Sequence, residues 1–297
     1  MAFKKRKLVD IVLIILFFFS FSCFLFWLSN NLRESDSSSW RHPDKPIKDQ
    51  FDSSLIRLNS VDKLIVYCDS VYQAKFPQLA YPEVVSETLR KRFYHNYSYY
   101  NLGNNAFGVI FAPLVGNGAA AVVIPDDIAK YPNAACSQQS ILGMEIFKQK
   151  GYKFRKVSMF DSTEKVGHFA YEIYYGNGWH FFDTDQEPDA NILRHYGRPS
   201  AAFLAENPSV VLAAYRKRGD PQLFKRLLIN AKTGPVNKFP APNAYLYQIV
   251  TKYFTYFGWL FFLSIIYVRK WVKKKAKNFS PVLSVAKKEE ETVPVFS

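Results

Sequence analysis

Cysteine is scarce, with three residues in a chain of 297, at positions 23, 68 and 136. An odd count leaves one thiol free under any single intrachain pairing, so no disulfide framework can be read from it. Histidine is nearly as rare. His95, His180 and His195 stand at no metal-like spacing from cysteines or carboxylates, and neither a metal nor another cofactor is expected. There is no glycine-rich phosphate loop and no internal repeat, which removes nucleotide cradles and solenoids from consideration. Acidic residues are few: 25 Asp and Glu face 39 Lys and Arg, a formal charge of +14. Such an excess suggests nucleic acid, but its placement argues otherwise. Lys4, Lys5, Arg6 and Lys7 precede one apolar run, and Arg269, Lys270, Lys273, Lys274, Lys275 and Lys277 follow another. These account for most of the excess, leaving a mildly basic middle and no expected nucleic-acid partner.

What is present in quantity is apolar sequence, 48% of the chain. Leu8–Leu28 carries Asp10 as its one charge and is long enough to cross a hydrocarbon core of about 30 Å. No small-x-small cleavage site follows it, and Cys23, after Ser20, Phe21 and Ser22, is a poor lipoprotein acceptor, so the run is expected to remain attached as an anchor. The second run, Ile249–Val268, is broken by Lys252 near one end, where a long side chain can snorkel to the interface. Positive flanks belong in the cytoplasm, which predicts a two-pass membrane protein with both termini cytoplasmic and its middle extracytoplasmic, periplasmic in a Gram-negative cell. The expected division is a basic N-terminus over 1–7, a span over 8–28 and a Ser-, Asp- and Pro-rich tether over 29–54. A folded domain over 55–232, a linker over 233–248, a span over 249–268 and a basic tail over 269–297 complete it.

Within the folded middle, Val61, Leu64, Ile65, Cys68, Val71 and Tyr72 recur at helical spacing, and Pro82 opens a second helix through Val85, Leu89 and Phe93. Short helices are expected near 201–204, 210–218 and 222–231. The aromatic stretch Arg92–Asn105 reads as a packing layer with turn residues; were it to line a cleft, Asn101, Asn104 or Asn105 would be the candidate oxyanion donors.

The chemistry-bearing stretch runs from Asn133 to Asp185. Ile141, Leu142, Met144, Ile146 and Phe147 predict a helix over 138–150 ended by Gly151, with Asn133 as N-cap and Cys136 in the first turn. A thiol at the positive end of a helix, among unpaired backbone N–H groups, sits where thiolate is favoured. His168 to Tyr174 and Trp179 to Phe182 read as the two strands of a hairpin around Gly176-Asn177-Gly178. A two-residue loop at Gly176 and Asn177 pairs Ala170 with Asp183; a four-residue loop from Tyr174 to Asn177 pairs His168 with Asp183 directly. Either register puts His168 and Asp183 on one face, whereas a bulged three-residue loop could keep or break that parity. Asp185 and Glu172 are rivals for the carboxylate role.

The order of Cys136, its helix and "GYKFR", then "GHFAYEIYYGNGWHFFDTD", resembles the transglutaminase-like cysteine superfamily, whose members share a papain-like core. The resemblance covers about fifty residues well. It implies an α+β domain with helices packed on an antiparallel sheet, in which Cys136 is the nucleophile, His168 the general base and acid, and Asp183 the orienting acid. Gly167, Glu172 and Trp179 match positions that recur around them, while the "CSQQS" start of the helix differs. The expected activity is thiol acyl transfer on a peptide or protein substrate through a thioester, by hydrolysis or transamidation. Two alternatives stand beside it: an inactive module that binds a peptide or cell-envelope assembly partner, and a structural disulfide between Cys136 and Cys68.

Overall fold

A computed structural model describes residues 2–33, 51–116, 118–217 and 220–290. The greater part of the expected tether, positions 34–50, lies outside the described residues. In chain order the elements are α1 (Ala2–Arg33), a 3-10 turn (Ser53–Arg57), α2 (Val61–Lys75), α3 (Tyr81–Arg92), α4 (Leu102–Val115) and α5 (Pro125–Ile128). There follow α6 (Cys136–Gln149), β1 (Lys153–Asp161), β2 (Val166–Tyr175), β3 (Gly178–Phe182), α7 (Ala190–His195) and α8 (Ala201–Glu206). The last are α9 (Pro208–Ala214), α10 (Pro221–Ile229), β4 (Lys232–Thr233) and α11 (Pro242–Glu290). The chain divides into two compact units, one formed by residues 1–35, 101–111 and 250–297, the other by 36–100 and 112–249.

The first unit holds two helices long and apolar enough to cross a membrane, within Lys7–Asn31 and Pro242–Lys275. They run antiparallel. Asp10 accepts from Arg269 Nε at 3.1 Å and pairs with Lys273, Phe21 meets Trp259 edge-on at 5.5 Å, and the rings of Trp27 and Tyr256 lie 4.4 Å apart. The helices approach closely at Gly258, where a Cβ would fall 2.6 Å from Ser20 Oγ; small residues at such a crossing let backbones meet in the absence of a hydrophobic drive between helices. The second helix starts upstream of the apolar run, so 242–248, read from sequence as linker, is helical. Its antiparallel course brings Lys7 and Arg269–Lys275 to the same end.

The second unit is α+β. Its four-stranded antiparallel sheet has the order β3-β2-β1-β4. One face carries Val157, Met159, Ala170 and Phe181 against Leu193, Leu204, Val211, Tyr215, Phe224 and Leu228 from α7–α10. Strand alternation turns Tyr171 to the opposite face, where α6 packs on β2 through Gly143. A Cβ at Gly143 would lie 3.0 Å from Cε1, Cζ and Oη of Tyr171, so this glycine sets how near the helix comes to the sheet. Gly143→Val is expected to cost about 1–3 kcal/mol through overpacking and to slow alkylation of Cys136 by displacing α6. A thermal melt of the solubilised protein reads the first effect; an unchanged Tm would show that the contact yields.

The β2–β3 loop is the two-residue one, with Tyr175 paired to Gly178 and positive φ at Gly176 (53°) and Asn177 (65°). Both central residues in the left-handed region make the turn that matches strand twist, and Gly and Asn tolerate it best. β1 was not evident as a strand from the sequence, nor was β4, whose two residues pair Val157 with Thr233 and Ser158 with Lys232.

Candidate thiol site

Helix α6 begins at Cys136, with Ala135 extended before it. The expected N-cap, Asn133, does not serve: it forms a parallel bridge with Tyr94, and its Nδ2 donates to Tyr97 O at 2.8 Å. Gln138 takes over from inside the first turn. Its Oε1 accepts from Ala135 N (3.2 Å) and Ser98 N (2.9 Å), and its Nε2 donates to Ser98 O and Val122 O. A fully bonded, buried amide thus fixes the entry to the helix. The N–H groups of Cys136, Ser137 and Gln138 precede the first α-helical bond, from Gln139 N to Ala135 O, and lie at the positive end of the helix.

On the sheet, β3 pairs with β2 only as far as Tyr171↔Phe182. Beyond it the chain turns away through Asp183–Gln186, leaving the start of β2 without a partner on that side. His168 sits at this opening. Its Nε2 is 2.8 Å from Asp183 Oδ2, and ring and carboxylate share the face that the two-residue register requires. The Cys136 thiol is near enough to the same imidazole to favour its charged form. With Nε2 engaged by Asp183, Nδ1 is the ring nitrogen available to the thiol. Cys136 and His168 are buried, each with 9% of its surface exposed, and Asp183 is fully buried.

Burial alone would depress the imidazole pKa. The charge and hydrogen bond of Asp183, then the Cys136 thiol, outweigh burial and hold His168 well above an ordinary histidine. Its ring carbon-bound proton resonances are therefore expected to keep their protonated positions through neutral pH, and Asp183→Asn should return the titration toward 6.5 or below. Observing an ordinary histidine titration in the unmodified protein by NMR would remove this account of the pair.

Asp183 has two further partners. Tyr215 Oη donates to Oδ2 at 2.9 Å and Gln186 N donates to Oδ1 at 3.1 Å. Tyr215 stacks on Phe224 with centroids 4.1 Å apart, and Phe224 meets the His168 ring edge-on at 5.6 Å. The sequence offered no local sign of these two supports, which come from the end of α9 and from α10.

The rivals for the carboxylate role are engaged elsewhere. Asp185 Oδ1 lies 2.6 Å from His95 Nδ1 and accepts from Gln139 Nε2 at 3.1 Å; Oδ2 accepts from Gln186 Nε2. Glu172 shares the face of His168, but its Oε2 pairs with Arg155 and its Oε1 accepts from Ala201 N at 2.8 Å, fastening the start of α8. Of the asparagines in the aromatic stretch, Asn101 and Asn104 accept through Oδ1 from Gly103 N and Asn101 N at the start of α4, and Asn105 is buried, with Nδ2 donating to Thr251 Oγ1. All three cysteines are free, so the disulfide between Cys68 and Cys136 is not formed. Cys68 is buried in α2, and burial pushes its thiol up to about 12. Gly167 lies beside His168 on β2, and Trp179 on β3 stacks under the Arg155 guanidinium at 4.3 Å.

No known protein family, curated protein or solved structure matches the chain.

Proposed function

We propose that the protein is a membrane-anchored thiol acyl-transfer enzyme of transglutaminase-like type, in which Cys136, His168 and Asp183 act as a catalytic triad on peptide-type amide bonds. The observation that carries this reading is the convergence of a thiol at a helix N-terminus, an imidazole beside it, and a buried carboxylate bonded to that imidazole at Nε2. In that arrangement the proton that His168 holds at Nδ1 is the one taken from the Cys136 thiol, and sulfur is left as thiolate beside the imidazolium. Sulfur then attacks the carbonyl carbon, and the carbonyl electron pair moves to oxygen, toward the N–H groups of the first helical turn. Collapse breaks the C–N bond, and the amine departs with the proton from His168. A thioester remains on Cys136. Water or an amine next gives a proton to His168 and attacks the same carbon, releasing sulfur and the acid or new amide. Asp183 supports the imidazolium in each step and fixes the ring. The basic residues at one end of the antiparallel spans support the reading of cytoplasmic termini and an extracytoplasmic site.

Alkylation tests the reading without a known substrate. Iodoacetamide at neutral pH should modify Cys136 far faster than Cys68, and His168→Ala should slow Cys136 while leaving Cys68 unchanged. Equal rates for the two thiols in the folded protein would overturn it.

A further inference from the structure

We infer that helix α4 is a re-entrant segment, held in the hydrocarbon between the two spans and returning without crossing. From Leu102 to Ile124 the chain has no charged residue. α4 itself has 14 residues, a length of about 21 Å at 1.5 Å per residue, short of a core of about 30 Å.

Its first half is packed into the span bundle. At Gly103 a Cβ would meet the Asn30 side chain at 2.6 Å, so α4 starts beside the end of α1. Ala106 and Phe107 cluster with Cys23, and the Phe107 ring meets Phe19 at 5.6 Å and Phe254 at 5.9 Å. Along α1, Cys23 and Phe19 lie about 10–16 Å in from Asn30, well inside the apolar stretch.

Backbone polar groups at that depth need internal partners, and broken helices are tolerated only where they find them. α4 is broken at Asn105 (φ −154°, ψ 74°). The break is repaired by side chains: Asn105 Oδ1 accepts from Gly108 N at 3.0 Å, Asn105 Nδ2 donates to Thr251 Oγ1 at 3.0 Å, and Phe107 N donates to Thr255 Oγ1 at 3.2 Å. Buried hydroxyls and an amide stand where water would otherwise solvate the backbone.

The outer face of α4 carries Ile110, Phe111, Leu114 and Val115, with Leu114 81% exposed. Within the first unit, Ile110 and Phe111 stand with Phe18, Phe254 and Phe257 of the spans, all exposed apolar side chains. Acyl chains are the occupant that fits an uncharged surface continuous with two membrane helices. The segment also closes on itself. Tyr99 bridges Ala121, Tyr100 N donates to Ala120 O at 2.9 Å, and Val122 N donates to Ser98 O at 3.0 Å, so the chain leaves and returns at one neck. Gln138, two residues after Cys136, bonds both strands of that neck.

Site-directed spin labelling of the full chain in nanodiscs tests this. Ile110→Cys, Phe111→Cys and Leu114→Cys are made singly in a Cys23→Ala, Cys68→Ala, Cys136→Ala background of unchanged helix content. Tyr97→Cys serves as a solvent control and Phe257→Cys as a lipid control. Collisions with oxygen should exceed those with a water-soluble nickel chelate at all three sites, matching Phe257→Cys and inverting the order at Tyr97→Cys. Chelate-dominated collisions would make α4 a loop in water. Protection from both reagents would show that another protein chain covers it. Either result overturns the inference.

Discussion

Replacing Cys136 with alanine is expected to abolish acyl-enzyme formation while leaving the fold intact. p-Nitrophenyl acetate is a suitable donor, since its leaving group is good enough to reveal a nucleophilic thiol without a natural substrate. The unmodified protein should give a burst of p-nitrophenolate and a mass increase of one acetyl group on Cys136. Cys136→Ala should lose both, with turnover reduced by about 10⁴-fold or more, the order expected when a nucleophile is removed from a cooperating set. Truncation removes one sulfur atom from a helix whose entry is fixed by Gln138, so the cavity is small and Tm should change little. Retention of the burst in Cys136→Ala would place the acyl group elsewhere and end the triad reading. A Cys136→Ala protein that also retained its cellular role would favour the binding module over the enzyme.

The trio was legible in the sequence because each member rests on a short-range rule. Apolar spacing and Gly151 define α6, and Gly151 does adopt a positive φ of 76° at its end. The hairpin arithmetic needed only the parity of two strands and a turn that Gly176 and Asn177 fit. What could not be read depends on chain segments meeting from far away. Tyr215 reaches Asp183 across 32 residues through the packing of α9 and α10. Asn133 had the composition of a cap, but pairing with Tyr94 consumed it, and a glutamine three residues into the helix did the capping from the other direction. Asn105 likewise bonds across a break in α4, which no periodicity announces. β4 is too short for any pattern. The charge-free run after Asn101 went unread, because without the packing of Phe107 against Phe19 it is indistinguishable from ordinary core.

In the proposed triad the carboxylate bonded to His168 orients the ring, and Asp183→Asn should expose that role. The substitution keeps the volume but replaces one acceptor by a donor in a fully buried place where every neighbour donates: Tyr215 Oη and the His168 ring at Oδ2, Gln186 N at Oδ1. One amide orientation sets Nδ2 against Gln186 N. The other sets it against Tyr215 and Nε2, and the ring escapes by taking the tautomer with its proton on Nδ1. That proton then faces Cys136, and the imidazole can no longer accept from sulfur. The charge that held the imidazolium is lost as well. Both effects act on the same step, so acylation should fall by about 10³–10⁴-fold, as when a triad carboxylate becomes an amide. The one mismatched hydrogen bond should lower stability by about 1–3 kcal/mol. Asp185→Asn disturbs instead the contacts to His95 and Gln139, and Glu172→Gln those to Arg155 and the start of α8; each should leave the His168 titration in place. Burst rates, His168 titration and Tm for the three variants separate the roles. Normal acylation in a folded Asp183→Asn, beside a crippled Asp185→Asn or Glu172→Gln, would transfer the orienting role to that rival and leave the short contact between His168 and Asp183 as packing alone.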